Sequence, residues 1–250
     1  MKENILLGKW TQDGLERLVS SAALIKSAGE RIDFLSKHFL GTDYKESTLT
    51  GDINRPEVFV VNLGGVDCFT FIDYIEAMRL SASFSAFTGN LKMVRYRMGE
   101  VAFDTRNHFF SDWREFNTDF VSDVTERIGA HKARKTVKML NEKKAGAYYI
   151  QGISPVRREI TYIPTDAIDD SVLDQMRTGD YVGVYSSMPG LDVSHVGIYI
   201  NAGDSIYWRH ASSDKSNRMV VDQDFRDYIS GRPGLVVLRP KDFPVHLLTE

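Results

Sequence analysis

The sequence predicts an α+β fold: helices over its first third, one cysteine-bearing helix, and short antiparallel strands towards its end. Three observations carry that expectation. Apolar residues recur at helical spacing between about Thr11 and Leu40. The only cysteine, Cys68, follows a strand-like run and a Gly64-Gly65 turn and opens another helical pattern. In the last third, short apolar runs alternate with turn residues. Helices and strands are thus segregated along the chain, as in α+β proteins, and do not alternate as in parallel sheets.

In chain order, Leu15, Leu18, Val19 and Ala22 share one helix face, and Ile32, Leu35 and Phe39 share another, with Gly29 between them. These residues form a helical N-terminal segment (1–55) that closes in a polar stretch from Gly41 to Pro56. Glu57 to Leu63 reads as a strand. Asp67 reads as a helix N-cap, and Cys68, Phe71, Ile72 and Ile75 as one face of a helix running to about Ser83. Ser83 to Gly89 reads as a loop and Lys92 to Arg97 as strand-like. Asp104 to Trp113 is a loop whose aromatic, cationic and imidazole groups suit a polar ligand, although an ordinary surface-to-core loop has the same composition. Asp119 to Lys144 reads as a helix with a solvated basic face: Lys132, Arg134, Lys135, Lys138, Lys143 and Lys144. Ile160–Pro164, Tyr181–Tyr185, Ser194–Ile200, Ser205–Ala211 and Gly234–Arg239 read as strands. We expect a single domain, with residues 84–159 as an insertion walling a cleft.

Composition narrows the function. A net charge of −3 argues against nucleic acid as the main partner. One cysteine excludes an intramolecular disulfide and any multi-cysteine zinc site. No apolar run approaches the ~20 residues of a membrane span. The apolar part of the start, Ile5 to Leu7, is too short for a secretory signal. The chain is therefore expected to be cytoplasmic, or else a mature form in the periplasm or cell envelope after removal of a leader.

Cys68 sits where a helix's unpaired N–H groups favour thiolate and could stabilise an oxyanion. A buried core cysteine fits the same pattern. The histidines bear on that choice. In Ser194–Ile200, His195, Gly197 and Tyr199 alternate with Val196, Ile198 and Ile200. With Asn201–Asp204 as a four-residue hairpin loop, His195 falls directly opposite His210 and Gly197 opposite Trp208. Two imidazoles on one sheet face beside a helix-start cysteine suit a thiol hydrolase, in which one shuttles the proton and the other fixes its tautomer. A zinc ion held by Cys68, His195 and His210 is a rival reading, but no clustered ligand spacing supports it.

These motifs resemble the N-acetylmuramoyl-L-alanine amidase-like branch of the NlpC-type, papain-like cysteine hydrolases. The resemblance rests on Asp67-Cys68 with Asn62–Phe71, Ser194–Ile200 with His210-Ala211-Ser212, Phe39–Tyr44, Arg106–Trp113, Ile160–Pro164 and Gly190–His195. It implies a papain-like core with the cysteine helix packed on an antiparallel sheet that bears the histidines. It implies hydrolysis of amide bonds in peptidoglycan fragments or muropeptides without a cofactor. Cys68 matches the nucleophile, His195 the general base, His210 the orienting residue, and Tyr44 a tyrosine that positions substrate or stabilises the oxyanion. The bond expected to be cut joins N-acetylmuramic acid to L-alanine. A stem-peptide endopeptidase, for example at the γ-D-glutamyl bond, and a silent glycan- or peptide-binding module are the alternatives. Asp43, Phe69 and Asp73 depart from the family pattern. Arg106 and His108 are expected to contact substrate, since an arginine fork suits a stem-peptide carboxylate.

Overall fold

The computed structural model describes residues 3–144 and 146–242. Its elements are β1 (Glu3–Leu6), α1 (Gln12–Ala23), α2 (Ala28–Lys37), β2 (Thr50–Asp52), β3 (Arg55–Asn62), α3 (Cys68–Arg79) and α4 (Phe84–Arg95). There follow α5 (Phe110–Phe116), β4 (Val121–Asp123), α6 (Thr125–Gly129), β5 (Arg134–Leu140), β6 (Glu142–Lys144), β7 (Ala147–Tyr148) and β8 (Val156–Pro164). The chain continues through α7 (Asp170–Leu173), β9 (Tyr181–Tyr185), β10 (Val193–Asn201), β11 (Ile206–Ala211), β12 (Val220–Asp224), α8 (Phe225–Ile229) and β13 (Gly234–Pro240).

The main sheet has eight strands in the order β12-β11-β10-β9-β13-β8-β5, with β4 also paired to β13. Every one of these pairs is antiparallel. This is the expected α+β architecture. Because side chains alternate across a strand, the sheet buries a core on each side. Val196, Ile198 and Ile200 face α1–α4, and α3 lies directly on β10 and β11. Tyr199 and Trp208 face the opposite way, packing with Phe225 and Ile229 of α8.

A small second sheet holds the approach to α3. Its order is β1-β3-β2, with β1 parallel to β3. Gly8, at φ +62°, lies so close to this approach that a Cβ there would come 2.4 Å from the Gly64 Cα. Only glycine tolerates both the conformation and the contact. The loop before Cys68 is thereby pinned by the N-terminal strand, which the sequence pattern did not reveal.

Two expectations about the middle of the chain are corrected. The loop at 83–89 and the strand at 92–97 are one helix, α4. Ser83 caps it, accepting from the Ala86 N–H at 3.1 Å, and Phe87, Leu91 and Val94 form its buried face. The basic helix over 119–144 is instead β4, the short α6, β5 and β6. In β5, Thr136, Lys138 and Leu140 turn inward while Lys135, Val137 and Met139 face out, with Thr136 opposite Ile160 of β8. Lys138 is not a solvated charge, for its ammonium donates to the carbonyls of Ser186, Met188 and Leu191. Arg134, Lys135 and Lys138 of β5 fall at i, i+1 and i+4, a spacing that imitates the polar face of a helix. Within residues 84–159, α4 packs on α3, β4 and β5 join the main sheet, and Trp113 is fully buried. Among the described residues, no helix is long and apolar enough to cross a membrane.

Candidate active site

Cys68 occupies the first position of α3, as the sequence predicts. Asp67 caps the helix: one carboxylate oxygen accepts from the N–H groups of Phe69 (3.0 Å) and Thr70 (2.7 Å). The Thr70 hydroxyl in turn accepts from the Asp67 N–H at 3.0 Å, completing a capping box. Behind the first turn, Asp73 is buried against Arg95 at 2.9 Å and accepts from the Trp113 indole at 3.1 Å. Burial pushes the Asp73 carboxyl up to about 6, against the pull of Arg95.

The sulfur also feels the sheet. Tyr199 donates its N–H to Asp180 beyond β9, so alternate N–H groups of β10, including that of Val196, point away from β9. β11 pairs with β10 only from Ile198 onward, which leaves the Val196 N–H facing Cys68. This N–H and those of Cys68 and Phe69 favour thiolate. Burial acts more strongly the other way, pushing the thiol up to about 12, and the Asp67 carboxylate adds to it. The expected stabilisation of thiolate by the helix end is therefore outweighed: the capping carboxylate sets a negative charge beside the positive helix terminus.

His195 and His210 do come together, but in a different register. Ile198 pairs with Arg209 and Asn201 with Ile206, so the hairpin turns through 202–205, two residues from the expected alignment. Gly197, not His195, lies across from His210. A Cβ on Gly197 would come 2.8 Å from the His210 Cβ and 3.0 Å from the Trp208 ring. The histidines are consequently diagonal neighbours, with His195 Nε2 and His210 Nδ1 2.7 Å apart and the rings at 87°. His210 Nε2 lies 2.7 Å from Gln223 Oε1 on β12. This chain assigns the protons. The amide oxygen can only accept, so His210 carries hydrogen on Nε2 and accepts on Nδ1; His195 then donates from Nε2, and its Nδ1 holds the free lone pair. Burial lowers His195 to about 3 and His210 to about 4, with the neighbouring imidazole and Arg232 adding to the effect at His195. Both rings are neutral at ordinary pH.

Cys68 and His195 line one cleft of about 160 Å³, with Phe69, His108, Phe109, Tyr149 and Asp192 among its walls. On the other side of His195 lies a chamber of about 910 Å³ that extends past His210 to α8 and the loop after it. Tyr44 is carried to the cysteine by a parallel bridge to Val66. Burial and the nearby Cys68 and Asp67 push its hydroxyl up to about 12, so it stays protonated. His108 lines the cleft, its Nε2 donating to the Phe103 carbonyl at 2.7 Å. Burial lowers it to about 4.

Arg106 is not brought to the site. Its guanidinium pairs with the buried Glu57 carboxylate, donates to the Gly51 carbonyl and lies 5.3 Å over Phe103. It fastens the β2–β3 hairpin, and the Glu57 charge takes the fork that a substrate carboxylate would need. Gln223, Tyr228 and Tyr149 are site residues that the sequence pattern did not identify; only the Val220-Val221 pair hinted at β12. Among the described residues no group of three His, Cys, Asp or Glu side chains is set to hold a metal. The facing nitrogens of His195 and His210 are also closer than two ligands of one tetrahedral zinc, which at ~2.0–2.1 Å each lie more than about 3 Å apart.

The fold is that of an α+β protein with amidase-like structural neighbours. A Bacteroides uniformis N-acetylmuramoyl-L-alanine amidase superposes with a TM-score of 0.71 at 27% identity, covering 86% of this chain and 99% of that one. A Legionella pneumophila protein of the family DUF1460 shares the fold, with a TM-score of 0.78 at 22% identity over 92% of this chain and 94% of its own. Comparison with curated protein sequences gives no match. Residues 34–235 match the AmiA-like, N-acetylmuramoyl-L-alanine amidase-like family, and the chain belongs to it.

Proposed function

We propose that this chain is a papain-like cysteine amidase that splits the bond between N-acetylmuramic acid and L-alanine in peptidoglycan fragments. The observation that carries the reading is the Gln223–His210–His195 chain ending in the cleft that Cys68 shares. Membership of the amidase-like family supports the choice of bond.

At rest thiol and imidazole are both neutral. His195 Nδ1 takes the thiol proton as sulfur attacks the lactyl carbonyl, and the imidazolium is held by the His210 lone pair. The Cys68 N–H and the Tyr44 hydroxyl stabilise the oxyanion. His195 then protonates the leaving L-alanine amine, giving a thioester. Water, deprotonated by the same nitrogen, hydrolyses it and frees the lactyl carboxylate and the thiol.

Digestion of a defined muropeptide with mass analysis tests this. The expected products are a sugar with a free lactyl carboxylate and a peptide beginning with L-alanine. A sugar still joined to L-alanine and D-glutamate would replace the amidase with a stem-peptide endopeptidase. Binding without any cleavage would make the chain a silent module.

A further inference from the structure

The two hollows that meet at His195 differ in chemistry, and we infer that they orient the substrate: the glycan lies in the chamber beside α8, and the stem peptide leaves through the small cleft towards Lys143 and Lys144. This rests on the amidase reading, since it places the scissile bond between the hollows.

The chamber, at about 910 Å³, falls within the ~300–1,000 Å³ usual for small-molecule sites. Its wall offers the hydroxyls of Ser194, Ser213 and Ser230, the ring of Tyr228, and the carboxylates of Asp214 and Asp227. Asp224 also lines it, and Arg232 is its one basic group. Arg232 lies 5.1 Å over the Tyr228 ring, and Trp208 stacks on the same ring with centroids 5.3 Å apart. Hydroxyls and carboxylates suit a neutral polyhydroxylated ring, whose hydroxyls donate to carboxylate. A stem peptide bears carboxylates, and this acidic wall repels them.

The opposite end reverses both properties. The cleft holds only about 160 Å³ and is walled by Phe69, Phe109, Tyr149 and Ile150, enough for a methyl-sized side chain such as that of alanine. Tyr149 lines it and carries Lys143, whose ammonium lies 4.6 Å over the ring. Beyond it, Lys143 and Lys144 are exposed on the rim of a shallow basic hollow. A peptide running out past Tyr149 meets these cations with its carboxylates.

Titration calorimetry on the wild-type protein tests the two halves, with N-acetylglucosamine disaccharide and L-alanyl-γ-D-glutamyl-L-lysine as separate probes. Ser230→Trp, which fills the chamber, should weaken the disaccharide at least tenfold and leave the peptide unchanged. The double variant Lys143→Glu, Lys144→Glu should weaken the peptide about tenfold and leave the sugar unchanged. Both sets of positions are exposed, and wild-type thermal melting identifies variants that are folded. Sugar binding that survives Ser230→Trp but is lost in Ile150→Trp reverses the orientation and overturns the inference, as does absence of sugar binding to the wild type. These readouts need no turnover, so failure of the amidase reading is seen separately, as cleavage of the tripeptide probe or of the wrong bond in a muropeptide.

Discussion

Under α3 the buried polar network is built of ion pairs; the network that runs through the histidines on the other side of the main sheet is neutral. Under α3, Asp73 pairs with Arg95, and Glu76 with Arg79 while also accepting from the Tyr181 hydroxyl at 2.7 Å, all nearly or fully buried. Across the sheet, Gln223, His210 and His195 form a chain of the same hydrogen-bonded character without a formal charge. The difference teaches where each kind of network is useful. Paired ions fix a helix because separating them leaves an uncompensated charge. A neutral chain can accept one proton and pass it on, which a saturated ion pair cannot do.

Removing the reacting atom should produce the largest effect on activity. Cys68→Ala should lower kcat/KM by at least about 10³-fold with an unchanged melting curve, because it leaves both networks intact. An active Cys68→Ala protein would return this residue to the core.

On the charged side, Arg95→Met should cost about 3–5 kcal/mol at neutral pH by stranding Asp73, a fall in Tm of roughly 6–20 °C for a chain of this size. Asp73 is already pushed up to about 6 from 3.8. A carboxyl whose folded pKa is raised loses stability as pH rises and regains it as pH falls. The deficit measured by thermal melting should therefore shrink in mild acid, and a pH-independent deficit would mean that lost packing dominates.

On the neutral side the effects should be smaller and kinetic. Gln223→Leu should lower kcat by roughly 10–100-fold, by releasing the His210 tautomer, with little change in Tm. Gln223→Glu should retain activity but move the acid limb of the pH profile upward, since the added carboxylate favours imidazolium.

The smallest expected change is that of the wild type with pH. Activity by a neutral pair needs unprotonated His195, lowered to about 3, and protonated Cys68, raised to about 12. kcat/KM should stay level from about pH 5 to about 9. Limbs near the ordinary histidine and cysteine values would indicate a thiolate–imidazolium pair instead. Stability should behave differently: His195 and His210 are lowered from 6.5, so the unfolded chain binds more protons below that value and the fold weakens as pH drops through it. Melting temperature and activity measured together separate the two.

The parts legible in the sequence were those written in short-range pattern. Asp67 and Cys68 announce a helix start because capping is completed within four residues. His195 and Tyr199 announce a strand because alternation is local. What stayed hidden depends on distant partners. Gln223 matters only because β12 lies beside β11, and nothing in Val220–Asp224 states that neighbour. Arg106 looked available because its partner, Glu57, is remote in the chain. Lys138 looked solvated because the carbonyls that hold it belong to the loop at 186–191. Thiolate stabilisation was overestimated for a related reason, as burial is a property of the finished fold.

The β10–β11 hairpin has one more consequence. Which side of the sheet a residue occupies is a matter of parity, odd or even, and the actual alignment differs from the expected one by two. An even error leaves parity intact, so His195 and His210 still share a side and touch diagonally through the gap at Gly197. An odd error would have put them on opposite sides. The turn at 202–205 thus works as a one-bit check on the site: lengthening it by one residue inverts the bit for all of β11, whereas lengthening it by two preserves it.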